Sequence, residues 1–176
     1  MVVSHFMSHP IRLTISTIKL VCTWHIITSH VFQVSPAQGP SMLPTFSVKG
    51  DWVAADMTHA RNRRGQLRVG DLVLYRIPVS ENANGIKRLI GLPGDYVSMN
   101  TPGSPGEERM IQVPEGHCWI VGDNLTVSRD SRSFGPVPLA LIKGKVLAKV
   151  LPWAERGWFH NPLEPIEDLG DANVNE

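Results

Sequence analysis

Glycine and proline divide most of this chain into short apolar runs, and this punctuation restricts its fold more than any other feature. The 176 residues include 15 Gly and 14 Pro, and both residue types are poorly tolerated inside long helices. Short apolar runs bounded by such residues are typical of strands. They lie at residues 51–55, 70–76, 86–90, 95–99, 110–113, 117–121 and 145–151. We therefore predict a mainly β fold, a compact and partly open antiparallel β-barrel or folded sheet.

Composition divides the chain into three parts. Residues 1–34 carry no Asp or Glu and are largely apolar from Ile11 onward, which indicates an N-terminal anchoring or targeting segment. Residues 35–151 contain the predicted strands. Residues 152–176 are rich in acidic side chains, so we expect a flexible tail there. The formal net charge of +1 argues against a nucleic-acid partner, which would normally require a strongly basic chain.

Three structures are compatible with the N-terminal segment. A targeting peptide that is later removed would usually contain more Arg, and a helix lying at the membrane surface would have a wider polar face. No apolar run reaches the roughly 20 residues of a clean membrane span. On a helical projection the polar side chains gather in one narrow stripe, formed by Arg12, Ser16, Lys19, Thr23, His30 and Gln33. A spanning or deeply embedded anchoring helix, with this stripe against a partner protein, fits best.

Two polar residues, Ser41 and Lys87, lie in sequence environments that suit catalysis. Ser41 precedes Pro44 in a turn that would hold its hydroxyl in place. A serine hydroxyl needs a base to take its proton, and lysine can be that base only when burial lowers its pKa from about 10.4. In a strand, Lys87 and Leu89 share one face while Arg88 points to the other. The pattern predicts a serine nucleophile activated by a buried lysine, without a histidine.

A third segment, residues 122–136, completes a recognisable set. It contains Gly-Asp-Asn followed by Ser-Arg-Asp-Ser-Arg-Ser-Phe-Gly-Pro, after Ser-Met-Leu-Pro-Thr at 41–45 and Lys-Arg-Leu-Ile-Gly-Leu-Pro-Gly-Asp at 87–95. In this order the three segments resemble the conserved boxes of type I signal peptidases, which are membrane-anchored serine proteases. The compact length and the sequences at 35–40 and 131–136 are most similar to the mitochondrial inner membrane members of that family, those of fungi above all.

The resemblance implies a role for each matching residue. Ser41 would be the nucleophile, Lys87 the general base, and Ser128 the hydroxyl that orients the lysine amine. The Ser41 backbone N–H would form part of the oxyanion hole, and the second donor would come from position 39, where Gly39 offers no side chain. Structural ion pairs would be formed by Arg88, Asp123, Asp130 and Arg132. The family needs no metal ion and no organic cofactor.

The resemblance also implies partners and a location. The substrates would be precursor proteins with cleavable hydrophobic sorting signals, bound edgewise as an extended strand beside the membrane lipid. The chain would assemble with a second, related protease subunit in the mitochondrial inner membrane, with its catalytic domain facing the intermembrane space.

Three alternatives stay open at this stage. The chain could be a catalytically silent, membrane-anchored β scaffold for a partner protease subunit, or a bacterial-type leader peptidase. A self-cleaving repressor also uses Ser and Lys on a β fold, but it would carry a DNA-binding module instead of an apolar N-terminus.

Overall fold

The computed structural model describes residues 10–58, 67–78, 80, 83–103, 109–161 and 163. The basic run at 61–64 and the acidic residues from 164 onward lie outside the described residues. The helices are α1 (Pro10–His30) and α2 (Ser131–Phe134). The strands are β1 (Phe32–Ala37), β2 (Asp51–Asp56), β3 (Leu72–Arg76), β4 (Asn84–Gly91), β5 (Tyr96–Ser98), β6 (Met110–Gln112), β7 (His117–Val121), β8 (Val137–Pro138), β9 (Ile142–Leu151) and β10 (Gly157–Trp158).

One antiparallel sheet organises the domain. Its strand order is β1-β2-β9-β3-β4-β7-β8, and β10 pairs with β9. The ten-residue β9 is the longest strand, and it contacts β2, β3 and β10. Register shifts in the β2–β9, β3–β9 and β4–β7 pairs mark local bends, and such irregularities curl a sheet. The predicted mainly β, partly open antiparallel fold is confirmed.

Both faces of the central strands are covered by apolar side chains. One cluster contains Val53 and Leu74, and the other contains Val73 and Leu89. Four consecutive residues of β3, from position 72 to position 75, are therefore buried. A strand buried on both faces loses the apolar and polar alternation of a surface strand. This position explains why residues 72–75 form a continuous apolar run.

Strand β1 lies at the end of the sheet and crosses the boundary that composition placed between residues 34 and 35. It pairs with β2 in the register Val34↔Ala54 and Pro36↔Trp52. The sequence did not predict this strand, because Pro36 reads as a turn residue. Proline cannot donate to a ladder and is therefore found mainly on edge strands. The position of β1 at the edge of the sheet accommodates it.

Helix α1 precedes β1 and leaves most of its described side chains exposed. Ile11, Leu20 and Trp24 are 74%, 72% and 69% exposed. The helix ends at His30, so Gln33, which the helical projection included in the polar stripe, belongs to β1 instead. No helix in the described part of the chain has both the length and the hydropathy that crossing a bilayer requires.

Residues 152–161, which composition assigned to the tail, contact the domain. Strand β10 pairs with β9, and Asn161 donates a hydrogen bond to the carbonyl of Val69 at 2.8 Å. Of the nearby aromatic side chains, Trp153 and Trp158 are exposed, whereas Phe159 packs on the core. The domain therefore extends beyond residue 151.

Candidate active site

Ser41 lies in a short 3-10 turn, Pro40–Met42, between β1 and β2. Gly39 opens this turn with a φ of +102°, which a residue with a side chain rarely adopts. Two hydrogen bonds from Asn124 hold the turn: its N–H donates to the Ser41 carbonyl at 3.1 Å, and its side-chain amide donates to the Pro40 carbonyl at 3.1 Å. The buried side chain of Met42 fixes the other side.

The glycine at position 122 allows this close approach. A side chain built on Gly122 would lie 2.5 Å from the Ser41 carbonyl oxygen and 2.2 Å from the Ser128 hydroxyl. Real atoms do not approach so closely, so only glycine fits between these two residues. Gly122 thereby brings the Ser41 turn and Ser128 to the same place.

Lys87 occupies the middle of β4 and is only 4% exposed. The predicted alternation is present: Lys87 and Leu89 are buried, Arg88 is half-buried on the other face, and Ile90 is exposed. The amine Nζ donates a hydrogen bond to Ser128 Oγ at 2.8 Å. The structure thus places Lys87 and Ser128 in direct contact, inside the domain.

Burial lowers the pKa of Lys87 from its ordinary value of 10.5. Removing the amine from water disfavours its charged form. The negative charges of Asp130 and Asp123 act in the opposite direction, and the positive charge of Arg132 adds to the lowering. The net effect favours the neutral amine, which is the form that can accept a proton.

Behind Ser128 lies a buried ion pair. Asp130 is fully buried and contacts Arg132 at 2.8 Å, and it also accepts the N–H of Gly122 at 2.9 Å. Burial alone would raise the pKa of Asp130, but hydrogen bonds from Arg132, Gly122 and Ser128 outweigh this and hold it below 3.8. The Ser128 oxygen accepts the bond from Lys87, and a hydroxyl can accept at its oxygen while its hydrogen remains available to donate.

A second ion pair lies on the opposite face of β4. Arg88 donates from Nε and Nη2 to the two oxygens of Asp123, each at 2.8 Å, which is the bidentate geometry of a strong pair. The Thr45 hydroxyl also donates to Asp123. Asp123 therefore links β4, which carries Lys87, to the loop that carries Ser41.

Ser41 and Lys87 line the same cleft, which has a volume of about 410 Å³. Most of the other lining is apolar or backbone, and includes Met42, Phe46, Leu74 and Ile86. Although the amine borders this cleft, Lys87 is 4% exposed, and this burial favours its neutral form. The arrangement can therefore provide a hydroxyl nucleophile and a neutral amine beside one binding groove. In the described part of the chain, no three His, Cys, Asp or Glu side chains form a metal-binding group.

Gly39 was predicted to provide a donor for the oxyanion hole, but its backbone N–H already has a partner. Its N–H donates to the Val48 carbonyl at 2.9 Å, so this amide is occupied in the structure. Two residues that hold the site, Thr45 and Asn124, received no role from the sequence. Both residues lie inside the sequence motifs quoted above, and this was the only indication of a role in the sequence. Thr45 bonds to Asp123, 78 positions away along the chain, and Asn124 bonds to Pro40, 84 positions away.

Comparison with known proteins identifies the family of this chain. The family described as "Signal peptidase, peptidase S26" matches residues 11–104 and 101–153. The chain belongs to this signal peptidase family and is therefore a peptidase by membership.

The individual relatives within this family are subunits of mitochondrial inner membrane proteases. The chain is 38% identical to mitochondrial inner membrane protease subunit 1 of Schizosaccharomyces pombe, over 89% of this chain and 96% of that one. It is 41% identical to mitochondrial ATP-independent inner membrane protease subunit 1a of Arabidopsis thaliana, over 76% and 79%. Subunit 2 of the Schizosaccharomyces pombe protease is 31% identical, over 74% and 71%. These relatives confirm the expected family and the mitochondrial inner membrane location; the orientation of the domain stays a prediction.

Proposed function

We propose that this chain is a serine endopeptidase that cleaves precursor proteins through an acyl-enzyme on Ser41, with Lys87 as the general base. The observation that carries the proposal is the state of the Lys87 amine. It is buried, its pKa is lowered, and its only side-chain hydrogen bond among the described residues goes to a neutral hydroxyl. A permanently charged structural lysine would normally be paired with a carboxylate instead.

The first half of the reaction forms the acyl-enzyme. The Lys87 lone pair accepts the proton of the Ser41 hydroxyl while Oγ attacks the scissile carbonyl carbon. A neutral amine has two hydrogens and one lone pair, and the bond to Ser128 uses one hydrogen. This bond restricts rotation of the amine and orients its lone pair. The protonated amine then gives its proton to the leaving nitrogen as the peptide bond breaks.

The second half reverses these roles. Lys87 accepts a proton from a water molecule, which attacks the acyl carbon, and the protonated amine then returns this proton to Ser41 Oγ as the acyl–oxygen bond breaks. The developing oxyanion would be stabilised by the Ser41 N–H. The proposed second donor at Gly39 requires its amide to leave Val48, or a water to take its place in the cleft. One such donor is typically worth about 3–4 kcal/mol of transition-state stabilisation.

The substrate and assembly follow from the relatives and from α1. We propose that the precursors carry hydrophobic sorting signals and that the domain faces the intermembrane space. The exposed apolar surface of α1 would embed in the inner membrane. A second, related subunit would complete the assembly, as the existence of a homologous subunit 2 suggests. Ion pairs Arg88–Asp123 and Arg132–Asp130 would hold the site rigid.

The test is to assay Ser41→Ala and Lys87→Met for cleavage of a precursor, with Ser133→Ala as the control because Ser133 is exposed on α2. We expect the first two variants to lose cleavage and the control to retain it, with all three folded by circular dichroism. An acylating β-lactam-type inhibitor should label the wild type at Ser41. A folded wild type that neither cleaves nor becomes labelled would instead support the silent scaffold.

A further inference from the structure

The residues after β9 pair with the sheet and also contact other parts of the domain through their side chains. We define the C-terminal strap as residues 157–161. Its strand part pairs with β9, and the Phe159 N–H donates to the Leu147 carbonyl at 2.8 Å. From there two side chains, Phe159 and Asn161, turn toward the rest of the domain while His160 between them is exposed. The strap therefore has two separate contacts with the domain.

The first contact reaches the loop that carries Ser41. The ring of Phe159 meets the ring of Phe46 edge to face, with centroids 5.2 Å apart. Phe46 is 2% exposed and lines the catalytic cleft. The residue before it, Thr45, donates its hydroxyl to Asp123. The position of Phe46 thus determines how the loop approaches Asp123.

The second contact reaches the segment before β3. The Asn161 side-chain amide donates to the Val69 carbonyl at 2.8 Å and to the Asp71 carboxylate at 3.2 Å. A Cβ atom built on Gly70 would lie only 2.1 Å from the Asn161 side-chain oxygen, so this close contact requires glycine at position 70. The Gly70 carbonyl in turn accepts a hydrogen bond from Arg88 Nη1 at 2.8 Å. Arg88 is the partner of Asp123 and the chain neighbour of Lys87.

Both contacts are therefore connected to Asp123. Phe159 is connected to it through Phe46 and Thr45, in the loop that follows Ser41, and Asn161 through residues 69–71 and Arg88, on the strand that carries Lys87. Asp123 lies between Gly122 and Asn124, which hold the Ser41 turn. We infer that the C-terminal strap positions Ser41 relative to Lys87, with Phe159 and Asn161 as positioning residues. The inference rests on the proposed function, because it concerns the same nucleophile and base. Neither residue touches the substrate cleft.

Positioning predicts a specific kinetic effect. A misplacement of about 1 Å between reacting groups can lower a rate by about 100-fold, while substrate binding in the cleft stays the same. Loss of either contact should therefore lower kcat and leave KM unchanged. A purely structural role would instead reduce the number of folded molecules, each of which would turn over at the normal rate.

The experiment compares Phe159→Ala and Asn161→Ala with His160→Ala, the matched control, in the full-length chain reconstituted in detergent. The amount of labelling by an acylating inhibitor counts the competent sites, and kcat is then expressed per labelled site. We expect kcat per site to fall about tenfold or more in both variants, with KM within about twofold of the wild type. His160→Ala should stay within about twofold in both constants, and Phe159→Leu should recover part of the loss.

Two kinetic outcomes would contradict the inference. Normal kcat per labelled site in both variants would reduce the strap to a stabilising element, even if less folded protein is obtained. A raised KM with unchanged kcat would assign the strap to substrate binding. If Phe159→Ala does not fold, Asn161→Ala decides the result alone, because it removes no core side chain. A wild type that is not labelled would overturn the proposed function and is recognised before any variant is tested.

Discussion

Two lysines of the same sheet, Lys87 on β4 and Lys149 on β9, are both largely buried but have opposite surroundings. The amine of Lys87 contacts the neutral Ser128 hydroxyl, and burial lowers its pKa. The amine of Lys149 contacts the carboxylates of Asp51 at 2.8 Å and Glu155 at 3.1 Å. Burial would lower the pKa of Lys149 too, but these hydrogen bonds outweigh it and raise the pKa above 10.5.

The difference shows that burial alone does not make a lysine a base. A directly bonded carboxylate turns a buried amine into a permanent cation, whereas a hydroxyl leaves it able to lose its proton. The site also contains carboxylates, but Asp130 is bonded to Arg132 and Asp123 to Arg88. The two arginines occupy the carboxylates that would otherwise pair with Lys87. On this account the ion pairs keep Lys87 without a direct counter-ion.

The largest expected effect separates the two lysines by activity. Lys87→Met should lower precursor cleavage about 10²–10⁴-fold, because a general base is lost. Lys149→Met should retain normal cleavage per folded molecule, because its amine is not in the cleft. The measurement is kcat/KM for both variants on one precursor. Equal losses in the two variants would remove the functional distinction between the two lysines.

The free energy of unfolding should be affected in the opposite order, more by Lys149→Met than by Lys87→Met. Lys149→Met leaves Asp51, which is 1% exposed, without its cation. Removing one partner of a buried pair typically costs about 3–5 kcal/mol. We expect such a decrease in the free energy of unfolding in urea for Lys149→Met and no comparable loss for Lys87→Met. An unchanged unfolding midpoint for Lys149→Met would show that its ion pair contributes little.

The hydrogen-bond partners of the two amines allow a finer comparison. Ser128→Ala should lower kcat by about tenfold to 100-fold, because the Lys87 lone pair loses its fixed direction. Glu155→Ala should leave activity unchanged and alter stability by less than about 1 kcal/mol, because Glu155 is 57% exposed. Steady-state kinetics and thermal unfolding of both variants check this. Full activity in Ser128→Ala would exclude the orienting role.

The smallest expected effect is a pH dependence of stability with opposite sign for the two lysines. The folded pKa of Lys87 is lowered, so between that value and 10.5 the unfolded chain binds more protons and this lysine contributes more stability as pH rises. The folded pKa of Lys149 is raised, so its contribution is complete below 10.5 and is lost as pH rises through the folded value. Lys87→Met should therefore gain stability over the wild type, by an amount that shrinks toward pH 10.5. A gain that grows with pH would contradict the lowered pKa of Lys87.

Local sequence patterns predicted most of the strands and the buried position of Lys87, because both depend on neighbouring residues. The apolar alternation around Lys87 determines its face, and Gly and Pro mark the ends of most strands. Strand β1 was missed because Pro36 has two local interpretations, and only its position at the sheet edge decides between them. The pairing of Ser128 with Lys87 was expected from the resemblance to signal peptidases and not from any local pattern.

Contacts between distant residues could not be predicted from the sequence. Asn161 bonds to Val69, 92 positions away, and nothing near residue 161 distinguishes it from an ordinary residue of an acidic tail. The hydrogen bond from Gly39 to Val48 is shorter in range, but it depends on the path of the intervening loop. Only the fold separates the packed Phe159 from the exposed Trp158, because both are large aromatic residues next to each other in the sequence.

The most direct test of the account is the titration of the two lysine amines by NMR, with isotope-labelled lysine in the inactive Ser41→Ala variant. Lys87→Met and Lys149→Met versions assign the two signals. The account predicts that Lys87 loses its proton below pH 10.5 and that Lys149 does so above it. A Lys87 amine that stays charged to pH 10.5 or beyond would contradict the account, because no neutral base would then be available to Ser41.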